Sequence, residues 1–169
     1  MNLDLAVWLN LISTVAIVAA LIFTALQVRQ ASIKRRDQAA VTVIQTTQSE
    51  GWTRPLELVN NLPPDATVAD VQRAGAEVQR AMIDFGVRLE TIGYMVFQHT
   101  INLRTADDLI GGVALTFWSR TKAWAERERE RMGNPKLYEW CQWLAERIAE
   151  RREKLGHKPA HILYTDWHE

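Results

Sequence analysis

Four histidines and one cysteine are the residues of this sequence whose types could support metal binding or nucleophilic catalysis. His157 and His161 have the i, i+4 spacing that places two metal ligands on one face of a helix. Pro159 lies between them, however, and no sustained helical pattern comes after Gly156 to hold both rings on the same face. We therefore predict no metal site and interpret residues 157–169 as a C-terminal tail.

The single cysteine, Cys141, excludes an intramolecular disulfide and fits a reducing compartment. It shares an apolar helical stripe with Leu144 and Ile148, as a small core residue would. The chain contains no G-x-S-x-G, no Walker loop, no dinucleotide fingerprint and no Glu-x-x-His pair of the kind that binds two iron ions. We expect a protein that is not an enzyme and has neither catalytic residues nor a cofactor.

Arg88 is the charged residue whose position calls for an explanation, because it falls on the apolar side of a predicted helix with Ala81 and Met95. Asp84 precedes it by four residues, a spacing at which two side chains meet on one helix face. We interpret Asp84 and Arg88 as a candidate buried ion pair. A ligand-binding arginine is the alternative interpretation.

The charge of the chain is balanced, with 20 Lys and Arg against 20 Asp and Glu. Residues 1–28 contain one charged side chain, Asp4, so the remainder carries 20 basic and 19 acidic groups. Proteins that bind nucleic acid need clustered Lys and Arg in excess to neutralise phosphates. We therefore expect no nucleic-acid partner.

An uncharged stretch of 24 residues, from Leu5 to Val28, contains neither Gly nor Pro. At about 1.5 Å of rise per residue, a helix of this length crosses roughly 30 Å of hydrocarbon, and only a helix satisfies the backbone of a single spanning segment. A cleaved signal peptide is the competing interpretation, but no Lys or Arg precedes the stretch and its apolar run is too long. We predict a transmembrane anchor over residues 1–28.

Basic residues come closely after this anchor and none precedes it: Arg29, Lys34, Arg35 and Arg36. The positive-inside rule then places the N-terminus outside and residues 29–169 in the cytoplasm, at the inner (plasma) membrane of a bacterium. The same four residues are predicted to lie at anionic lipid headgroups, with about 1 kcal/mol of attraction each. A topology signal alone would also explain them.

One face of the anchor carries small and polar residues. Six positions recur at spacings of three and four: Asn10, Ser13, Ile17, Ala20, Thr24 and Gln27. A neighbouring helix can hydrogen-bond the amides and approach closely over the small residues, whereas lipid can do neither. We predict that this face packs against other transmembrane helices, in a homo-oligomer or a hetero-complex. The competing interpretation is that a single-pass helix tolerates scattered polar residues.

Past the anchor, residues 29–50 contain neither Gly nor Pro and are predicted to continue as a juxtamembrane helix that ends at Gly51. An Asn- and Pro-rich loop over residues 60–65 separates this segment from the C-terminal part of the chain. We assign residues 29–62 to a juxtamembrane helix and stalk.

The predicted domain is a helical bundle over residues 67–156. Apolar residues recur with helical spacing over 67–96 and over 105–132. The run Gly133–Pro135 supplies a helix end, an N-cap and a first-turn proline in succession, which predicts an antiparallel hairpin of 105–132 and 135–155. No alternating pattern long enough for a sheet occurs. The predicted fold is all-α, with one N-terminal transmembrane helix that continues into a stalk and a small antiparallel bundle.

The hairpin carries two further features. The alternating charges of Glu126–Arg131 predict a solvated surface, with a docking surface for another subunit as the alternative. Four of the seven tryptophans, Trp118, Trp124, Trp140 and Trp143, concentrate in the hairpin. Most should be core residues, and any that stays exposed is the natural anchor for a partner.

Two stretches carry a resemblance to a known group of proteins. The first is the Q-x-R-Q segment at Gln27–Gln30, which comes directly after the apolar helix. The second combines a late tryptophan, an arginine, a proline turn and an aromatic-rich L-A-E-R helix: Trp124, Arg129, Pro135, Tyr138 and Leu144–Arg147. The chain resembles bacterial domain-of-unknown-function proteins with one N-terminal transmembrane helix and a compact cytoplasmic helical domain. The resemblance implies an anchored helical domain and no known activity.

From these features we expect an accessory or scaffold subunit of a membrane protein complex. It would bind partners through its transmembrane helix and its cytoplasmic helical domain. The alternative is a membrane-tethered ligand or stress sensor with a pocket between the bundle helices near Arg88. A membrane-bound enzyme that uses the C-terminal histidines is the weakest of the three hypotheses.

Overall fold

A computed structural model gives the backbone of residues 2–47, 50–156 and 158–168, and the side chains of residues 7–31, 38, 41, 51–156 and 158–168. Within these residues the chain forms helices and no strand, which confirms the predicted all-α class. The helices are α1 (Asn2–Thr47), α2 (Glu50–Asn60), α3 (Val68–Ala74), α4 (Ala76–Phe97), α5 (Leu103–Met132), α6 (Glu139–Lys154) and α7 (Ala160–Leu163). The chain divides into two units, Met1–Gln38 and Ala39–Glu169.

The first unit is the N-terminal part of α1. Its segment Val7–Ala31 has 25 residues with a mean hydropathy of 2.3, and none of its side chains is buried. Such a helix is long and apolar enough to span a membrane. Among the described residues it is the one helix that meets this condition.

The second unit has its core between α2, α4, α5 and α6. Fully buried side chains from α4 and α6, Met82, Phe85, Leu89, Leu144 and Ile148, lie at its centre. Asp107, near the start of α5, binds Arg151 and Arg152 at the end of α6, so these two helices run antiparallel. The predicted hairpin and the bundle are therefore confirmed.

Helix α2 is part of this core, although it lies within residues 29–62, which were predicted to form a juxtamembrane helix and stalk. Trp52, Val59 and Leu62 are buried, and the Trp52 ring lies 4.5 Å from that of Phe85. The Arg120 Nε donates a hydrogen bond to the Leu62 carbonyl at 2.8 Å, which fixes the end of the segment. The apolar face of α2 is short, and it is buried because it packs against α4 and α5.

Two predicted helix boundaries were wrong. Gly51 lies in the first turn of α2 and does not end α1, whose last residue is Thr47. The helix predicted over residues 67–96 is interrupted at Gly75, whose φ of 88° is not helical. Its predicted start is confirmed, because the Thr67 side chain accepts from the Asp70 backbone N–H while the Asp70 carboxylate accepts from that of Thr67.

The turn between α5 and α6 is longer than predicted. Gly133 ends α5 in the left-handed conformation with a φ of 59°, as expected. Helix α6 begins only at Glu139, however, and Tyr138 before it also has a positive φ of 56°. Asn134 does not cap α6, since its side chain accepts from the Lys136 backbone N–H inside the turn. Side chains of α4 and α5, Glu90 and Arg129, hydrogen-bond the backbone of this turn and of the start of α6.

Candidate functional site

Large apolar side chains remain exposed along one face of α4. Their positions are three, four or seven residues apart, so they lie on a single helical stripe. The exposed fractions are 46% for Ile83, 56% for Val87, 48% for Tyr94 and 47% for Phe97. Such a run is unusual on a soluble surface, where large apolar side chains are scattered singly.

Two tryptophans of α6 extend this stripe. Trp140 and Trp143 are partly exposed, and their rings lie 6.1 Å apart. The Trp140 ring contacts those of Phe97 and Tyr94, with centroids at 4.6 and 5.6 Å. We call the six residues from α4 and α6 the α4–α6 aromatic surface: Ile83, Val87, Tyr94, Phe97, Trp140 and Trp143.

Two glycines of α4 allow the start of α6 to approach α4 closely. A side chain at Gly86 would overlap the Tyr138 ring, and one at Gly93 would overlap the Trp140 carbonyl. The seven-residue separation places both on the same side of α4. Tyr138 is buried as a result, and this burial raises the pKa of its hydroxyl to about 12.

Glu90 of α4 binds the first turn of α6. Its carboxylate accepts the backbone N–H groups of Trp140 at 3.1 Å and of Cys141 at 3.3 Å. These are N–H groups that have no partner within the helix, so Glu90 takes the capping role predicted for Asn134. Burial raises the pKa of Glu90, while the two backbone hydrogen bonds act in the opposite direction.

Arg129 fixes the other side of the turn. Its guanidinium donates to the carbonyls of Leu137 at 2.7 Å and Tyr138 at 3.2 Å, and to the side-chain oxygen of Gln142 at 2.7 Å. It also lies 5.8 Å from the centre of the Trp118 ring. The prediction that all of Glu126–Arg131 is a solvated surface is therefore wrong for Arg129, which is half-buried.

The candidate buried ion pair is not formed. Asp84 is exposed, and no carboxylate among the described residues lies within ion-pair distance of Arg88. The Arg88 guanidinium instead packs against Gly51 of α2, and its Nε is buried without a hydrogen bond. The i, i+4 spacing allowed a pair within α4, but packing against α2 draws the arginine away from Asp84.

The predicted interface of the membrane helix lies on α1. Asn10, Ser13, Ile17, Ala20, Thr24 and Gln27 are all exposed on the helix. Thr24 donates to the Ala20 carbonyl at 2.8 Å, so its hydroxyl is satisfied within α1. The amide side chains of Asn10 and Gln27 make no hydrogen bond within the part of the chain that the structure describes.

The predicted headgroup residues begin two positions after Gln27. Arg29 is exposed on α1, while the side chains of Lys34, Arg35 and Arg36 lie outside the described residues.

The cysteine and histidines form no cluster in the described residues. Cys141 is buried in the core, and burial raises the pKa of its thiol well above the ordinary value, so the thiol stays protonated. No group of three His, Cys, Asp or Glu side chains that could hold a metal ion occurs among the described residues. His157 and Glu169 lie outside them.

Comparison with known proteins yields one finding. The model of a protein family described as a domain of unknown function (DUF4760) matches residues 14–148, which is most of the chain. No curated protein and no solved structure matches. The predicted resemblance to a domain-of-unknown-function family with an apolar N-terminal helix is thus confirmed.

Proposed function

Because the chain belongs to the DUF4760 family, whose description names no activity, we propose a function from its own surfaces: an accessory subunit that binds a partner protein in a bacterial inner membrane. The anchor is α1, with the N-terminus outside and the α2–α6 bundle in the cytoplasm. The observation that carries the proposal is the α4–α6 aromatic surface, on which six large apolar side chains stay wholly or partly exposed.

The membrane part of the proposal rests on α1. Its segment Val7–Ala31 is strongly apolar, yet it carries the amides of Asn10 and Gln27 without hydrogen-bond partners in the described part of the chain. A neighbouring membrane helix can supply those partners, and the small residues between them let it approach. The basic residues that begin at Arg29 support a cytoplasmic location for the bundle.

The domain part of the proposal rests on the α4–α6 aromatic surface. Ile83 and Phe97 are 14 positions apart, or about 21 Å along a helix, which matches about four turns of a partner helix. Amphipathic helices bind apolar surfaces through side chains at helical spacing, and tryptophan and tyrosine are enriched among the residues that dominate such interfaces. We therefore propose that an amphipathic helix of the partner protein binds the α4–α6 aromatic surface.

Ligand binding is the second candidate function. Three clefts of 360 to 610 Å³ lie on the surface of the second unit. None of the three is lined by a residue of α4, so none of them corresponds to the pocket predicted near Arg88. The observation that favours ligand binding is a different cleft, next to Asp107, at the far end of the α5–α6 hairpin from the turn.

Affinity purification of the full chain from its native membrane in a mild detergent tests the proposed function. We expect a second protein to co-purify in a fixed ratio to the chain, identified by mass spectrometry and counted by quantitative amino-acid analysis. If the purified chain is monomeric and alone, or contains only copies of itself, the accessory-subunit proposal is wrong.

A further inference from the structure

Asp107 is a buried acid that holds two arginines. It is 5% exposed on α5, and its two carboxylate oxygens accept from Arg152 Nε at 2.7 Å and from Arg151 Nη1 at 3.1 Å. Gly111, one turn later, leaves room for the cluster, since a side chain there would overlap both the carboxylate and the Arg152 guanidinium. One negative charge therefore faces two positive charges.

The cluster lines a cleft of about 570 Å³ between α5, the end of α6 and the C-terminal segment. Lys158 adds a third cation to the lining and Asp108 a second anion. The Asp108 carboxylate lies 3.6 Å from Arg104 on the same helix, which offsets its charge. The three cations that line the cleft, Arg151, Arg152 and Lys158, against its two acids, Asp107 and Asp108, leave an excess of one positive charge.

Most donors of the two arginines remain available. A guanidinium has five N–H groups, and Asp107 accepts one from Arg151 and one from Arg152. Both side chains are partly exposed, and both line the cleft. Asp107 holds the two planar groups in fixed orientations, and pre-oriented guanidinium forks match the geometry of a phosphate.

The other five residues that line the cleft are largely apolar. These residues come from the end of α6 and the C-terminal segment: Leu155, Pro159, Ala160, Leu163 and Tyr164. The Tyr164 hydroxyl accepts from Arg104 at 2.8 Å, which ties this segment to α5. The cleft therefore offers a ligand both positive charge and apolar contact.

We propose that this cleft binds a phosphate monoester attached to an apolar group. Arg151, Arg152 and Lys158 contact the phosphate oxygens, and Leu163 and Tyr164 contact the apolar part. A soluble phosphorylated metabolite and the headgroup of an anionic lipid share this chemistry. The inference gives a ligand class to the second candidate function and does not depend on partner binding.

Isothermal titration calorimetry on the full chain in detergent micelles tests the proposal. Inorganic phosphate probes the charged residues of the cleft alone. Short-chain phosphatidic acid, compared with short-chain phosphatidylcholine, probes the lipid source. We expect Lys158→Gln to weaken binding of the phosphate probes about fivefold, since a contacting cation in a partly exposed site contributes about 1 kcal/mol.

Lys154→Gln is the matched control, because Lys154 is a lysine near the end of α6 that does not line this cleft. The affinity of the Lys154→Gln variant for phosphate should equal that of the unchanged chain. Binding of phosphatidic acid without binding of inorganic phosphate supports the proposal and assigns the source to lipid. Binding of neither probe overturns it, as does an equal loss in both variants. Failure of phosphate binding would not change the result expected when a partner is co-purified. The two proposals are therefore tested separately.

Discussion

The double variant Ile83→Asp/Val87→Asp is expected to lose its partner while it keeps its fold. Both side chains are exposed on α4, at 46% and 56%, so carboxylates there meet water in the free protein. In the proposed complex the same carboxylates would be buried against an apolar helix face, where an unpaired charge is strongly disfavoured. Loss of two contacts of about 1 to 2 kcal/mol each lowers affinity roughly 30-fold or more.

The measurement is the amount of partner recovered per chain in purifications from native membrane, with the unfolding midpoint followed by circular dichroism. A matched control is Leu109→Asp/Met132→Asp, which places the same two charges at exposed apolar positions of α5, at 43% and 56%. The control should retain the partner. Equal recovery with both double variants would contradict the assignment of the interface to the α4–α6 aromatic surface.

Arg129→Ala is expected to destabilise the second unit by about 3 to 5 kcal/mol. The substitution removes three hydrogen bonds, to Leu137, Tyr138 and Gln142. Hydrogen bonds from a charged donor contribute about 1.5 to 3 kcal/mol each, and acceptors on buried or half-buried residues would lose their partner. Since the turn would then loosen, Trp140 at the start of α6 would also lose its fixed position.

Urea denaturation of the full chain in detergent, followed by circular dichroism, measures this change. Arg129→Lys keeps the charge but cannot reach three acceptors at once, so it should lose most of the same stability. Arg127→Ala is the control, because Arg127 is exposed two positions away and should change the free energy of unfolding by less than about 0.5 kcal/mol. A small effect of Arg129→Ala would contradict the structural role assigned to this arginine.

Local patterns in the sequence predicted the features that depend on neighbours along the chain. Gly133 ends α5 and Thr67 caps α3, as expected, because each requires only a few adjacent residues. The 25-residue apolar segment of α1 is evident from composition alone. The all-α class is evident from helical periodicity.

Contacts between distant segments could not be predicted in this way. Arg129 belongs to an alternating charged run, and nothing in that run reveals three acceptors that come into place only after the turn. Arg88 has an acid at the correct spacing, yet it packs against Gly51 of another helix. In each case the tertiary partner outweighs the nearest charged neighbour.

Two signals in the sequence could have revealed more of the site. Gly86 and Gly93 are seven residues apart on α4, a spacing that allows close approach of another segment along one side. Asp107 falls at helical spacing with the buried Ile110 and Ala114, which marks it as an acid on a buried face. Trp118 and Trp124 are core residues, as expected of most tryptophans in the hairpin, whereas Trp140 and Trp143 stay partly exposed.

Extraction of the native membrane with alkaline carbonate tests whether α1 holds the chain in the bilayer, on which the proposed function depends. The segment Val7–Ala31 contains 25 residues with a mean hydropathy of 2.3 and one charged residue, Arg29, near its end. Hydrocarbon should retain such a helix when peripheral proteins are released. We expect the full-length chain to stay in the membrane pellet, and its recovery in the supernatant would show that α1 is not an anchor.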